Sequence, residues 1–170
     1  MKSIVIAAAL ASSSAANAPV AEFALDRYLG TWHEAAHLPM FFQRNCKDQT
    51  TAQYSRLADG SIEVRNRCRT RSGEIQEAVG RARATARPAA LEVRFAPAWL
   101  SWVPGIWADY WVVDLDQDYR WAVVGSPSRK YLWVLSREPG MQRALYREIV
   151  QRAKDRGYDV DRLVETGVQD

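Results

Sequence analysis

The chain predicts an all-β protein, an eight-stranded antiparallel up-and-down barrel with one C-terminal helix packed outside. Three observations lead there. Short strand-like runs follow one another from residue 30 to residue 136. Turn-forming pairs such as Asp59-Gly60 separate them. After Pro139 the apolar spacing changes from a strand period to a helical one. A succession of antiparallel strands is best buried by closing the sheet on itself, which removes its edges and encloses room for one small ligand.

The strands are expected at residues 30–38, 49–57, 61–69, 74–84, 91–95, 110–116, 119–125 and 131–136. Asp59-Gly60 between two alternating runs is a hairpin signal. It puts Ile62, Val64, Asn66 and Cys68 on one face and Arg65, Arg67 and Arg69 on the other, with Arg71 continuing that solvated side. Ser72-Gly73 makes the next turn, and Arg87-Pro88 breaks the fourth strand. Leu91, Val93 and Phe95 alternate with Glu92 and Arg94, the clearest half-buried strand in the chain. Residues 96–105 form a Trp-rich and Leu-rich loop with Pro97 and Pro104. Gln117-Asp118 turns the sixth strand into the seventh. Pro139 suits a first helical turn, Met141, Leu145, Ile149 and Ala153 recur every fourth residue, and Gly157 can end the helix in the left-handed conformation. Residues 158–168 can add one edge strand.

The 170 residues suit one domain, and 48 % hydrophobic content excludes a disordered chain. Residues 1–18 read as a secretory signal: Lys2, an apolar run from Ile4 to Leu10, then small residues ending in Ala16-Asn17-Ala18. Cleavage after Ala18 or after Ala16 leaves the domain, taken as residues 19–170, in the periplasm or outside the cell. The apolar run is too short to span a bilayer. No Cys lies near the cleavage region, so no N-terminal lipid anchor is expected. The whole chain carries a formal charge of +3 with its Lys and Arg scattered, which argues against nucleic-acid binding by counterion release.

With Gly30-Thr31-Trp32, Asp109-Tyr110 and the run 131–137 ending in Arg137, in that order, the chain resembles the lipocalins, most of all the bacterial lipocalins related to apolipoprotein D. Gly30-Thr31-Trp32 resembles the family's opening G-x-W motif. Asp109-Tyr110 with Val112, Val113, Leu115 and Asp116 resembles its second motif, and residues 131–137, ending in Arg137, its third. The resemblance covers roughly residues 22–166. It implies that Arg137 packs across the face of Trp32 and closes one barrel end. That contact, together with Gly30, is structural and performs no chemistry. Many bacterial relatives are lipid-anchored through an N-terminal Cys that this chain lacks.

His33-Glu34-Ala35-Ala36-His37 matches the H-E-x-x-H zinc pattern, which needs a helix to bring both His to one metal. On a strand those residues stand about 13 Å apart, so zinc chemistry, a hydrolase alternative, is weighed lightly and no metal or cofactor is expected. Cys46 and Cys68 flank the Asp59-Gly60 hairpin in an exported chain, and a structural disulfide is the expected state. There is no Ser or Cys nucleophile with a spare His base, no G-x-S-x-G and no Gly-rich phosphate loop. Asp114, Asp116 and Asp118 lack the pattern of a calcium loop and read as strand-end solvation.

The expected function is therefore not catalysis. It is binding, with carriage or storage, of a small hydrophobic ligand such as a fatty acid, lysophospholipid or similar lipid, the lipid class resting on the resemblance. An enzyme acting on lipids in the barrel is the alternative. Candidate ligand-binding residues are Tyr54, Asn66, Trp99, Trp102, Tyr110, Val112, Trp121 and Trp133. For Trp121 and Tyr110 strand parity leaves inward and outward equally open, while for Trp133 the family pattern favours inward. Trp99 and Trp102 lie in the loop, where an apolar cluster marks a cavity lip, a peripheral membrane contact or a homodimer surface.

Overall fold

The structure, a computed structural model, describes residues 15–96 and 105–170. Most of the expected signal segment, and Trp99 and Trp102, lie outside the described residues. After a short helix α1 (Leu25–Tyr28), eight strands follow: β1 (Gly30–His37), β2 (Cys46–Arg56), β3 (Ile62–Thr70), β4 (Ile75–Ala84), β5 (Ala90–Arg94), β6 (Ala108–Leu115), β7 (Trp121–Gly125) and β8 (Leu132–Ser136). Each pairs antiparallel with the next, and β8 pairs back onto β1, which closes the barrel. Then come β9 (Met141–Gln142), α2 (Arg143–Asp155), β10 (Val164–Glu165) and β11 (Val168–Gln169).

The register explains the elements. Tyr54 opposes Val64 and Arg56 opposes Ile62, so the hairpin turns around Asp59-Gly60 as expected. Gly60 takes φ +81°, which favours Gly, and the Asp59 carboxylate accepts from the Ser61 amide at 2.9 Å. On the outer face of β3 the arginines find carboxylates: Arg65 and Arg67 meet Glu77, and Arg69 clamps Asp48. Such exposed pairs contribute little stability singly. They keep that face wet and so fix which face turns inward.

Two apolar clusters result. One fills the barrel around Tyr28, Trp32, Ile62, Leu91, Val112 and Val124. The other lies outside, between the β1–β7–β8 wall and α2, around Ala36, Trp121, Val123, Val134, Tyr146 and Ile149. The helix thus packs outside the barrel, as expected. It ends at Gly157 with φ +88°, the Gly157 amide reaching Lys154 O and the Tyr158 amide reaching Ala153 O. The expected edge strand is β10, which adds to β1 through Ala36 and His37.

Some details differ from the sequence reading. Pro139 does not open the helix. Met141 and Gln142 first pair in parallel with Val168 and Gln169, and the helix begins at Arg143. The seventh strand begins at Trp121 rather than Tyr119, because Tyr119 takes φ 59° in a turn whose Asp116 carboxylate gathers the Asp118 and Arg120 amides. Asp114 is not merely solvated. It receives Arg152 at 3.0 Å and Arg156 at 3.4 Å and so ties α2 to the sheet.

Candidate ligand-binding site

The strand directions define two ends. Gly30, Arg56, Ile62, Leu115 and Ser136 lie toward one, and the loops 38–45, 71–74 and 126–131 toward the other.

The first end is shut. Gly30 takes φ +97°, and a Cβ there would meet Arg137 Nη1 at 3.3 Å. Arg137 lies 3.8 Å above the Trp32 ring centroid. Its guanidinium donates to the carbonyls of Thr31 at 2.9 Å, Arg27 at 2.8 Å and Leu29 at 3.0 Å. The planar fork stacks on the indole and collects carbonyls left unpaired where α1 meets β1. The Trp32 indole donates to Tyr28 O at 2.8 Å. Trp32 and Tyr28 are both 0 % exposed.

Above this plug is a cavity of about 500 Å³, within the range of small-molecule sites. Val64, Val93, Val124 and Leu135 give it apolar walls; Tyr54, Asn66, Tyr110 and Trp133 also line it. The Tyr110 hydroxyl sits 2.7 Å from those of both Tyr28 and Tyr54. Burial holds the Tyr28 and Tyr110 phenols well above their ordinary pKa and pushes Tyr54 up to about 12. All three are neutral hydroxyls near neutral pH. In a row of three each interior bond uses one proton, so one hydroxyl proton is left over to donate.

The open end is rimmed by aromatics. Tyr131 stacks on Trp133 at 6.2 Å, and Phe42 lies 6.5 Å from Trp133. Gln43 straps this rim to the wall. The Trp133 indole donates to Gln43 Oε1 at 2.8 Å, and Gln43 Nε2 donates to Glu34 Oε2 at 2.7 Å. The bond between Cys46 and Cys68 joins β2 to β3 at this end, with Cα atoms 5.6 Å apart, and both cysteines line the cavity.

The structure thus brings Tyr54, Asn66, Tyr110 and Trp133 to one cavity. Val112 is buried in the barrel core but is not part of the cavity surface. Trp121 is corrected: it points outward under α2, with Arg152 4.8 Å from its ring. Apolar residues occupy both faces of β7 because one face meets the cavity and the other the helix, which is why parity could not place it. Glu34 and Gln43 were missed as wall residues. Glu34 stands two residues beyond Trp32, so strand alternation from that motif indicates its direction; nothing local marked Gln43. His33 and His37 lie on β1, a strand, which removes the helix the zinc reading requires.

Comparison with known proteins agrees with this geometry. The profile of the lipocalin-like domain family matches residues 23–167. The chain is a lipocalin. It is 37 % identical to temperature-induced lipocalin-1 of Arabidopsis thaliana over 149 residues, covering 86 % of this chain and 80 % of that one. It is 36 % identical to the outer membrane lipoprotein Blc of Vibrio cholerae, with 86 % and 83 % covered, and 29 % identical to mouse apolipoprotein D, with 87 % and 79 % covered. Among solved structures, insecticyanin of the tobacco hornworm Manduca sexta superposes with a TM-score of 0.66 at 18 % identity, covering 90 % and 85 %. The cockroach allergen Per a 4 superposes at 0.67 and 15 %, covering 93 % and 96 %. These two show the fold. The lipocalin family binds small hydrophobic ligands, and the cavity of this lipocalin is where one fits.

Proposed function

We propose that this lipocalin binds one single-chain lipid, such as a fatty acid or lysophospholipid, in the barrel and carries or stores it without chemical conversion. The observation that carries this reading is the apolar cavity above the Trp32–Arg137 plug, shut at one end and open at the other. Affinity comes from apolar burial, about 25 cal/mol per Å² before the costs of association, and the tyrosine hydroxyls orient a polar group. The protein acts outside the cytoplasm. The three-part signature of residues 1–18, the Cys46–Cys68 bond and kinship with outer membrane lipoproteins support export.

Delipidated protein titrated with a fluorescent fatty acid and a fluorescent lysophospholipid tests this. A saturable signal for at least one, near one per chain, is the expected result. No saturation with either would overturn it. Mass spectrometry of extracts from natively purified protein should then show a single-chain lipid.

A further inference from the structure

Among the described residues three charged ones touch the cavity: Glu34, Arg67 and Asp109. Two of them belong to outward-facing positions. Arg67 alternates with the inward Asn66 and Cys68 and gives its Nε to Glu77 at 3.0 Å. Asp109 precedes Tyr110, whose ring is in the barrel core, so its side chain takes the opposite face. Glu34 alternates instead with Trp32, which is inside the barrel. It is the one charged side chain aimed into the cavity among the described residues.

The surroundings of Glu34 hold no countercharge when the His37 ring is neutral. Its side chain is 3 % exposed. Gln43 donates to Oε2 at 2.7 Å and the Thr166 hydroxyl lies 3.0 Å from Oε1. Both are neutral donors. The nearest ionisable partner is His37, with Nε2 3.8 Å from Oε1, too far for a hydrogen bond and an ion pair only when the ring is protonated. His37 Nδ1 lies 2.7 Å from Leu38 O and is placed to donate to it, so in the neutral ring Nε2 presents a lone pair toward the carboxylate. No Lys or Arg pairs with Glu34 among the described residues. Burial pushes the carboxyl above its usual range, against the pull of His37, Gln43 and Thr166. A buried carboxylate costs free energy unless a cation meets it, and here the open side of the group is the cavity.

We infer that Glu34 is a charge-selecting residue of the cavity, and that its cognate ligand is an apolar chain whose head carries a cationic or hydrogen-bond-donating nitrogen rather than a free carboxylate. The inference rests on the binding reading above and narrows it. Among single-chain lipids it favours those with an ammonium-bearing head and disfavours free fatty acids. An ammonium beside Glu34 supplies the missing countercharge; a carboxylate there adds a like charge in a poorly solvated space.

Three probes of equal chain length separate the terms: dodecylamine, dodecanol and dodecanoate. Each displaces a neutral fluorescent reporter from the delipidated protein at pH 8 and low salt. Dodecylamine is expected to bind at least about tenfold more tightly than dodecanoate, with dodecanol between them. Glu34→Gln keeps an acceptor for Gln43 and removes the charge, and should bring the amine and carboxylate within about threefold of each other while dodecanol changes little. Should that variant fail to fold, Glu34→Asp keeps the charge and must keep the order amine above carboxylate. A role confined to holding Gln43 and Thr166 would weaken all three probes together. Equal binding of amine and carboxylate by the wild type, tighter carboxylate, or a preference that survives Glu34→Gln overturns the inference while leaving the cavity reading intact. If none of the three binds, both fall.

Discussion

At the closed end Trp32 and Tyr28 are wholly buried, and one guanidinium collects the carbonyls of the entering chain. At the open end Phe41 is 78 % exposed, and Phe42 and Phe95 are about half exposed at 47 % and 45 %. Both ends are rich in aromatic residues. The difference is that the closed end spends its aromatic surface on stability, while the open end leaves it available to an occupant or a neighbouring surface. Substitutions at the two ends should therefore separate folding from binding.

The largest effect is expected from Trp32→Ala. Removing a fully buried indole should cost about 3–5 kcal/mol in urea unfolding. A cost below 1 kcal/mol would mean that the plug is not the foundation of the barrel. Next, replacing Cys46 and Cys68 together by Ser should cost about 3 kcal/mol in the chain-entropy model for a crosslink between residues 22 apart in sequence. Because that bond sits at the open end, lipid titration should weaken along with stability; unchanged binding would show that the rim is held without it.

A third test uses the buried tyrosines. Their folded-state pKa values lie above those of the unfolded chain, so the stability they bring is complete below pH 10 and falls as pH rises toward 12 and beyond. Losses on the order of 2 kcal/mol per tyrosine by pH 12 are expected, with a shallower slope in Tyr28→Phe. Phenolate absorbance that develops fully before unfolding would contradict the buried hydroxyl row. Smaller again, Arg137→Lys keeps the charge but loses the planar stack and part of the carbonyl fork, for about 1 kcal/mol. At the opposite end Phe41→Ser should shift stability by no more than about 0.5 kcal/mol. A large loss there would erase the contrast between the two ends.

Asp59-Gly60 and the alternation of Leu91, Val93 and Phe95 carried the strand order in plain view, because turn chemistry and two-residue periodicity are local properties; the closed end was legible through the resemblance of residues 30–32 and Arg137 to the lipocalin motifs. The site was legible only in part. Asn66 was readable from a strand with one wet face. Trp121 was not, since both faces of β7 are buried, one by the cavity and one by α2. Gln43 reaches the site through a loop whose path no local pattern specifies.

By itself the sequence determined the barrel, its closing motif, the outer helix and the pairing of the two cysteines. The barrel, helix and cysteine pair follow from periodicity, turn residues and a single available partner, and the closing motif from the resemblance to the lipocalins. The tertiary structure alone decided which aromatic residues face the cavity, that three tyrosine hydroxyls meet in one row, and that Glu34 sits in the wall with no arginine or lysine beside it among the described residues. Those facts depend on distances between strands far apart in the chain, and such distances are set only when the sheet closes.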